Sequence, residues 1–201
     1  SYPSVTDARS AHRLGHFLIP PRTFREGDTE TAWNKCCHIF EGSAETGAQE
    51  HVYLEPQGAY AWKTENGNLM VHSATQGPAL VQKTIARILR IPINRIEVDV
   101  RRLGGAFGGK EDQATAWAAM AGLAAYLTGK PVKVVLNRHD DMIMTGKRHP
   151  YVSDFKIGLS AGLKILAWEV TYFQNGGAAA DLSPAIMERT LFHATNSYYI
   201  P

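Results

Sequence analysis

The sequence predicts an α+β fold, mixed β-sheets with helices packed on them, and three features of its 201 residues point there. Two short apolar runs flank Asn66-Gly67, the pattern of an antiparallel hairpin. Twice after that, a strand-like run passes through a turn into a helix-like run. Apolar residues make up 44% and charged residues 20%, the proportions of a folded globular chain, so disorder, collagen-like repeats and a coiled coil fit poorly.

In chain order, residues 1–28 hold no sustained period, and Pro3, Pro20 and Pro21 interrupt every candidate element; the stretch reads as an extended arm or linker ahead of a domain over 29–201. Ala32, Trp33 and Cys36 fit a short helix, and residues 38–45 alternate as an edge strand does. Residues 58–63 and 69–74 form the hairpin. Pro78 suits the first turn of a helix whose apolar face is Leu80, Val81, Ile85, Ile88 and Leu89. Residues 96–100 alternate as a strand before a glycine-rich turn. The Ala-rich run 111–128 follows as a helix, with Gly129 as its C-cap. Residues 132–136, 155–159 and 165–173 read as further strands, the last two joined at Ala161-Gly162.

Net charge is +2, from 21 basic and 19 acidic side chains, so electrostatics singles out neither nucleic acid nor a membrane surface as partner. No apolar run has the length to span a bilayer, and no signal-peptide pattern opens the chain. Cys36 and Cys37 are adjacent, a spacing that strains a disulfide, and read as thiols in a reducing, cytoplasmic compartment. The histidines lack metal-ligand spacing, so no protein-ligated metal is expected. The chain opens without Met and stops at Tyr199-Ile200-Pro201 without a stop pattern, which reads as a piece of a longer protein.

Four glycines within residues 104–109 require positive φ or the close approach of a ligand. Gly104-x4-Gly109-Lys110 matches the first seven positions of a phosphate-cradling P-loop between strand and helix, but Glu111 replaces the hydroxyl that binds Mg²⁺ and would repel a triphosphate. A P-loop-like nucleotide-binding domain is therefore the rival from another class. A tight structural turn, or a module inactive in isolation, is the plainer alternative.

The run Arg-Arg-Leu-Gly-Gly-Ala-Phe-Gly-Gly-Lys-Glu over 101–111 resembles the signature loop of the molybdenum hydroxylases, the xanthine dehydrogenase and aldehyde oxidase family. Four further blocks resemble that family in the same order: residues 48–56 (Ala-Gln-Glu-His-Val-Tyr-Leu-Glu-Pro), 73–76 (Ser-Ala-Thr-Gln), 145–150 (Thr-Gly-Lys-Arg-His-Pro) and 187–193 (Met-Glu-Arg-Thr-Leu-Phe-His). The resemblance covers 29–201 and implies the early portion of the molybdenum-cofactor-binding subunit. It implies oxidative hydroxylation of a purine such as xanthine or hypoxanthine with a water-derived oxygen, on molybdenum–molybdopterin. It also implies iron–sulfur clusters and FAD on other subunits or domains, and the rest of the molybdenum-binding subunit as a partner. The isolated piece is expected to be inactive and to hold no cofactor, because the resemblance implies that the catalytic base and the segments carrying most cofactor contacts lie beyond Pro201.

Read alone, Gln76 is a cap or solvent contact whose uncharged amide can donate to one oxygen and accept from another. Phe107 alone is a core anchor. The resemblance instead sets Gln76 toward the metal oxygens, and Gly105, Ala106, Phe107 and Gly108 against the cofactor. Glu111, read alone, is an acid at the start of the long helix, favoured by the dipole. Arg189, read alone, is a surface charge. The resemblance pairs them as a purine clamp, Glu111 binding ring N–H groups and Arg189 the heterocycle oxygen where charge develops. Aldehyde oxidoreductases of the same family generally lack this pair and are the nearest alternative. Asp140-Asp141 reads as a solvated acidic turn without a catalytic role.

Overall fold

A computed structural model describes residues 4–201. Its elements are α1 (Ala8–Arg13), α2 (Thr29–Trp33), β1 (His38–Thr46), β2 (Gly58–Lys63), β3 (Leu69–Ser73), α3 (Pro78–Leu89) and β4 (Ile96–Asp99). They continue with α4 (Ala114–Thr128), β5 (Val132–Val135), α5 (Arg138–Met144), β6 (Tyr151–Leu159), β7 (Ile165–Gln174) and α6 (Ser183–Phe192). The chain divides into two compact units, one formed by residues up to Gln49 together with those from His149 onward, the other by Glu50–Arg148.

The Glu50–Arg148 unit is built on a four-stranded sheet of order β4-β3-β2-β5, in which β3 and β4 run parallel and the other pairs antiparallel. The Asn66-Gly67 hairpin forms as expected: Gly67 sits at φ +77° and donates to the Thr64 carbonyl at 2.9 Å. Along β2, Ala59 and Ala61 are buried while Tyr60 faces out, the period of two of a half-covered strand. Helix α3 starts on Pro78 and buries Val81 and Ile85, each burial stabilising by about 1.5–3 kcal/mol. Leu80 and Ile88, expected on the same face, are exposed, so the covered stripe is narrower than the spacing implies. On α4, Ala118, Ala121 and Ala125 are fully buried. Their small side chains let the helix axis lie close to the sheet, and Gly129 ends it at φ +68° as its C-cap. The long helix begins at Ala114 rather than at residue 111, so Glu111 precedes it and the helix-start reading of that acid is corrected.

The sheet is mixed, not all-parallel, and Lys110 is fully buried in an ion pair with Glu55 at 3.1 Å. A P-loop lysine must reach a phosphate. Both findings remove the doubly wound P-loop alternative.

The other unit carries a three-stranded antiparallel sheet of order β1-β6-β7. Strand β1 is its edge, exposed along all nine residues, which is why residues 38–45 alternate without supplying core. Glu41 and Glu45 place charge on that edge and discourage pairing with other chains. Residues 4–28 contain α1, capped by Asp7, which accepts from the Ser10 N–H at 2.7 Å. Arg9 pairs with Asp154 of β6, and Asn175 Nδ2 donates to the Thr6 carbonyl at 2.8 Å. Gly158 of β6 lies against α2 and the cysteine after it: a Cβ there would overlap Cys36 Sγ and meet Trp33 Cζ3 at 2.9 Å. Gly158→Ala is therefore expected to destabilise this unit by about 1–3 kcal/mol, read as a lower denaturation midpoint. Adding Cys36→Ala, which removes the overlapping sulfur, should recover part of that loss.

Candidate active site

Residues 104–110 connect β4 to the start of α4. Gly105 has φ +89°, Phe107 +53° and Gly108 +91°, so three of four consecutive residues are left-handed. A side chain is strained in that region, and Phe107 tolerates it with its ring 74% exposed. The core-anchor reading of Phe107 is thus corrected. Left-handed turns of this kind draw backbone N–H groups toward one side and form a ready-made binding concavity for anionic oxygens.

Gln76 lies between the end of β3 and the start of α3, as the sequence indicates. Its side-chain oxygen accepts from the Gly108 N–H at 3.1 Å and the Lys110 N–H at 3.3 Å, while its own backbone N–H donates to the Lys110 carbonyl at 2.8 Å. The amide is therefore oriented: Oε1 is taken by the loop, and the exposed NH₂ has no acceptor among the described residues. The two-way role expected for Gln76 reduces to a donor role at its free end. The Phe107 N–H likewise has no acceptor among the described residues. A Cβ on Gly108 would meet nothing within 4 Å, so the space beside it is open.

The floor of the loop is a buried polar network that the sequence reading left without roles. Lys110 lies 4.5 Å above the Tyr53 ring and pairs with Glu55, whose carboxylate also accepts from the Gly104 N–H at 3.0 Å. Tyr53, 1% exposed, donates its hydroxyl to Asp141 Oδ1 at 2.6 Å. Asp141 Oδ2 accepts from the Gln57 N–H at 2.5 Å, and Gln57 Nε2 donates to the Gly109 carbonyl at 2.7 Å. Arg138 Nη2 donates to the Tyr53 carbonyl at 2.5 Å. Burial first, then donation to Asp141, pushes the Tyr53 hydroxyl up to about 12, so it stays a donor across the physiological range. Asp141 is fully buried on α5, which corrects its reading as a solvated turn. One sequence signal for this was present: Asn137 followed by acids is an N-cap pattern, and Asn137 Oδ1 accepts from the Asp140 N–H at 2.9 Å.

Gln76, Gly105, Ala106, Phe107, Gly108 and Glu111 all belong to the Glu50–Arg148 unit. Glu111 is half-buried, just past the loop. Arg189 belongs to the other unit, exposed in the last turn of α6, while its neighbour Glu188 pairs with Arg22. Among the described residues, no group of three or more His, Cys, Asp or Glu is assembled to hold a metal ion, and no helix is long and apolar enough to cross a membrane.

The molybdopterin cofactor-binding domain family matches residues 12–201. The chain belongs to that family. It is 42% identical over 184 residues to xanthine dehydrogenase 2 of Arabidopsis thaliana, covering 90% of this chain and 14% of the relative. Mouse xanthine dehydrogenase/oxidase is 40% identical over 200 residues, 99% of this chain and 15% of the relative. Aldehyde oxidase 2 of Cavia porcellus is 38% identical over 200 residues, 98% of this chain and 15% of the relative. Among solved structures, the aldehyde oxidoreductase of Desulfovibrio desulfuricans superposes with a TM-score of 0.71 at 26% identity, covering 86% of this chain and 20% of that one. The chain thus spans about one seventh of the length of its curated relatives. The α+β class and the likeness to the xanthine dehydrogenase and aldehyde oxidase family hold.

The loop meets the chemical demands of a molybdopterin group. The exposed Gln76 amide and the Phe107 N–H are hydrogen-bond donors without acceptors among the described residues, beside a glycine that leaves the surface open. An oxygen-rich, anionic group needs such donors.

Proposed function

We propose that the chain forms part of a cytoplasmic molybdenum hydroxylase acting in purine catabolism, with xanthine or hypoxanthine as substrate. The observation that carries the reading is that Gln76 Nε2 and the Phe107 N–H, donors without an acceptor among the described residues, lie at a loop whose Gly108 and Lys110 N–H groups are held by Gln76 Oε1. Gln76 and residues 105–108 would hold molybdenum–molybdopterin, which supplies two-electron oxidation with water as the source of oxygen. In the net reaction a ring C–H becomes C–OH, with release of two electrons and two protons. The electrons leave through iron–sulfur clusters and FAD on other domains or subunits.

Within this reaction, Gln76 donates to an oxygen of the bound group and cannot titrate, so its orienting role is independent of pH. The Phe107 N–H adds a backbone donor fixed by the left-handed turn. Glu111 accepts from ring N–H groups of the purine. Arg189 offers a planar, always-charged fork to the ring oxygen where negative charge builds up. Its guanidinium has no carboxylate partner among the described residues, which leaves it free for that contact.

The second reading, an aldehyde oxidoreductase, is favoured by the aldehyde oxidase relatives. The complete enzyme decides between them. Purified with its partners, it is expected to contain near-stoichiometric molybdenum and to reduce an artificial electron acceptor with xanthine or hypoxanthine in preference to benzaldehyde. Absence of molybdenum would overturn the hydroxylase reading, and oxidation of benzaldehyde without purine turnover would overturn the purine assignment alone.

A further inference from the structure

The Gly109–Lys110 peptide is gripped from both sides. Its carbonyl accepts from Gln57 Nε2 at 2.7 Å, and its N–H donates to Gln76 Oε1 at 3.3 Å. In a trans peptide the C=O and N–H lie in one plane and point in opposite directions, so the hold on one end fixes the other. Gln57 is in turn fixed. Its backbone N–H donates to Asp141 Oδ2 at 2.5 Å, and its side chain also donates to the Tyr53 hydroxyl at 3.1 Å, itself a donor to Asp141 Oδ1 at 2.6 Å. Tyr53, Gln57, Lys110 and Asp141 are fully or almost fully buried, and only Gln76 at the far end reaches the surface.

Orientation is transmitted along this chain. With its NH₂ committed to the Gly109 carbonyl, Gln57 leaves Oε1 buried without a donor among the described residues. Flipping the amide would aim that oxygen at the carbonyl and repel it, so the grip is maintained despite an unsatisfied acceptor. At the far end, Gln76 must turn its oxygen to the loop and its NH₂ outward.

We propose that Asp141 is a positioning residue for the candidate active site, acting through Tyr53, Gln57 and the Gly109–Lys110 peptide to set the orientation of the Gln76 amide. Asp141 does not touch the reacting atoms. It holds both ends of Gln57, directly at the backbone and through the Tyr53 hydroxyl at the side chain. Removing its charge weakens both holds together, because hydrogen bonds to a carboxylate are stronger than those to a neutral amide. The catalytic consequence rests on the hydroxylase reading above; the mechanical consequence for the loop does not.

The test uses the complete enzyme and two readouts. The first is hydrogen exchange of peptides spanning 104–113, compared with peptides from α4. Asp141→Asn is expected to speed exchange in the loop peptides about tenfold, the scale of losing one charged hydrogen bond, with α4 unchanged. Unchanged loop exchange, or an equal rise in α4, overturns the proposal. The second readout is a double-mutant cycle in purine turnover. Asp141→Asn is expected to lower kcat about tenfold at unchanged molybdenum content, and to add little in a Gln76→Leu background, because both changes disable one device. Full additivity overturns the proposal even where the loop loosens. Should Asp141→Asn fail to fold, Tyr53→Phe removes one oxygen from the same relay and carries both readouts. If the complete enzyme proves not to be a hydroxylase, the exchange arm still decides the loop mechanics.

Discussion

In the complete enzyme, Gly109→Ala is expected to lower molybdenum content and turnover together, by roughly 5- to 150-fold, while Gly162→Ala changes neither. A Cβ on Gly109 would lie 2.8 Å from both Cγ and Nδ1 of His51 and 2.9 Å from Cε1 of Tyr53. Real side chains do not approach so closely, and Tyr53 has no room to retreat: it is 1% exposed, tied to Asp141 at its hydroxyl and covered by Lys110 at its face. The loop must lift instead, which pulls the Gly109 carbonyl from Gln57 and the Lys110 N–H from Gln76. An overpacking cost of about 1–3 kcal/mol then acts on every equilibrium that needs the native loop. Gly108→Ala tests the other half of the geometry. Its Cβ meets nothing, yet φ +91° strains any side chain, so a loss on the scale of about 1–3 kcal/mol is expected from backbone conformation alone. Gly162 has only Ser160 Oγ at 3.9 Å in its surroundings and serves as the control. Molybdenum per chain, measured beside the thermal midpoint, separates lost cofactor retention from general unfolding.

Where the sequence carried its structure in local chemistry, the reading held. Asn66-Gly67 admits the turn β2 and β3 need, Pro78 can only start a helix, and Gly129 takes the left-handed cap that closes α4. The glycine loop was legible for the same reason, since only glycine-rich backbone reaches φ +89° and +91° so close together. What escaped was long-range pairing. Lys110 reads as the phosphate-binding lysine of a P-loop-like pattern until Glu55 and the Tyr53 ring are seen beside it. Asp141 reads as a solvated acid because its two donors lie more than eighty positions earlier. Neither Tyr53 nor Gln57 carries a local pattern that distinguishes it from a core aromatic or a surface amide. The family likeness covers their segment without giving them roles, and the fold supplies those.

Arg189→Met in the complete enzyme is expected to reduce kcat for xanthine by about 10²-fold or more, the scale of losing one charge-stabilising donor, and to leave aldehyde turnover far less affected. The position is suited to a clean experiment. Arg189 is exposed, and the nearest acid in sequence, Glu188, is occupied by Arg22. The substitution therefore breaks no ion pair among the described residues, and only a small helix-dipole contribution at the end of α6 is lost, about 0.3–1 kcal/mol. Stability and molybdenum content should stay close to wild type, so a fall in xanthine turnover reports on the substrate. On the purine-clamp reading, the guanidinium would strengthen its hold as charge develops on the heterocycle oxygen, whereas an aldehyde presents no ring oxygen for it to meet. On the same reading Glu111→Val would remove an acceptor for ring N–H groups and should act mainly on the same substrates. If both residues hold one purine, the double variant loses less than the product of the two single losses, because the second change has no bound geometry left to spoil. Equal loss of xanthine and aldehyde turnover in Arg189→Met, at unchanged molybdenum content, removes Arg189 from substrate choice; strict additivity with Glu111→Val shows the two acting on separate steps.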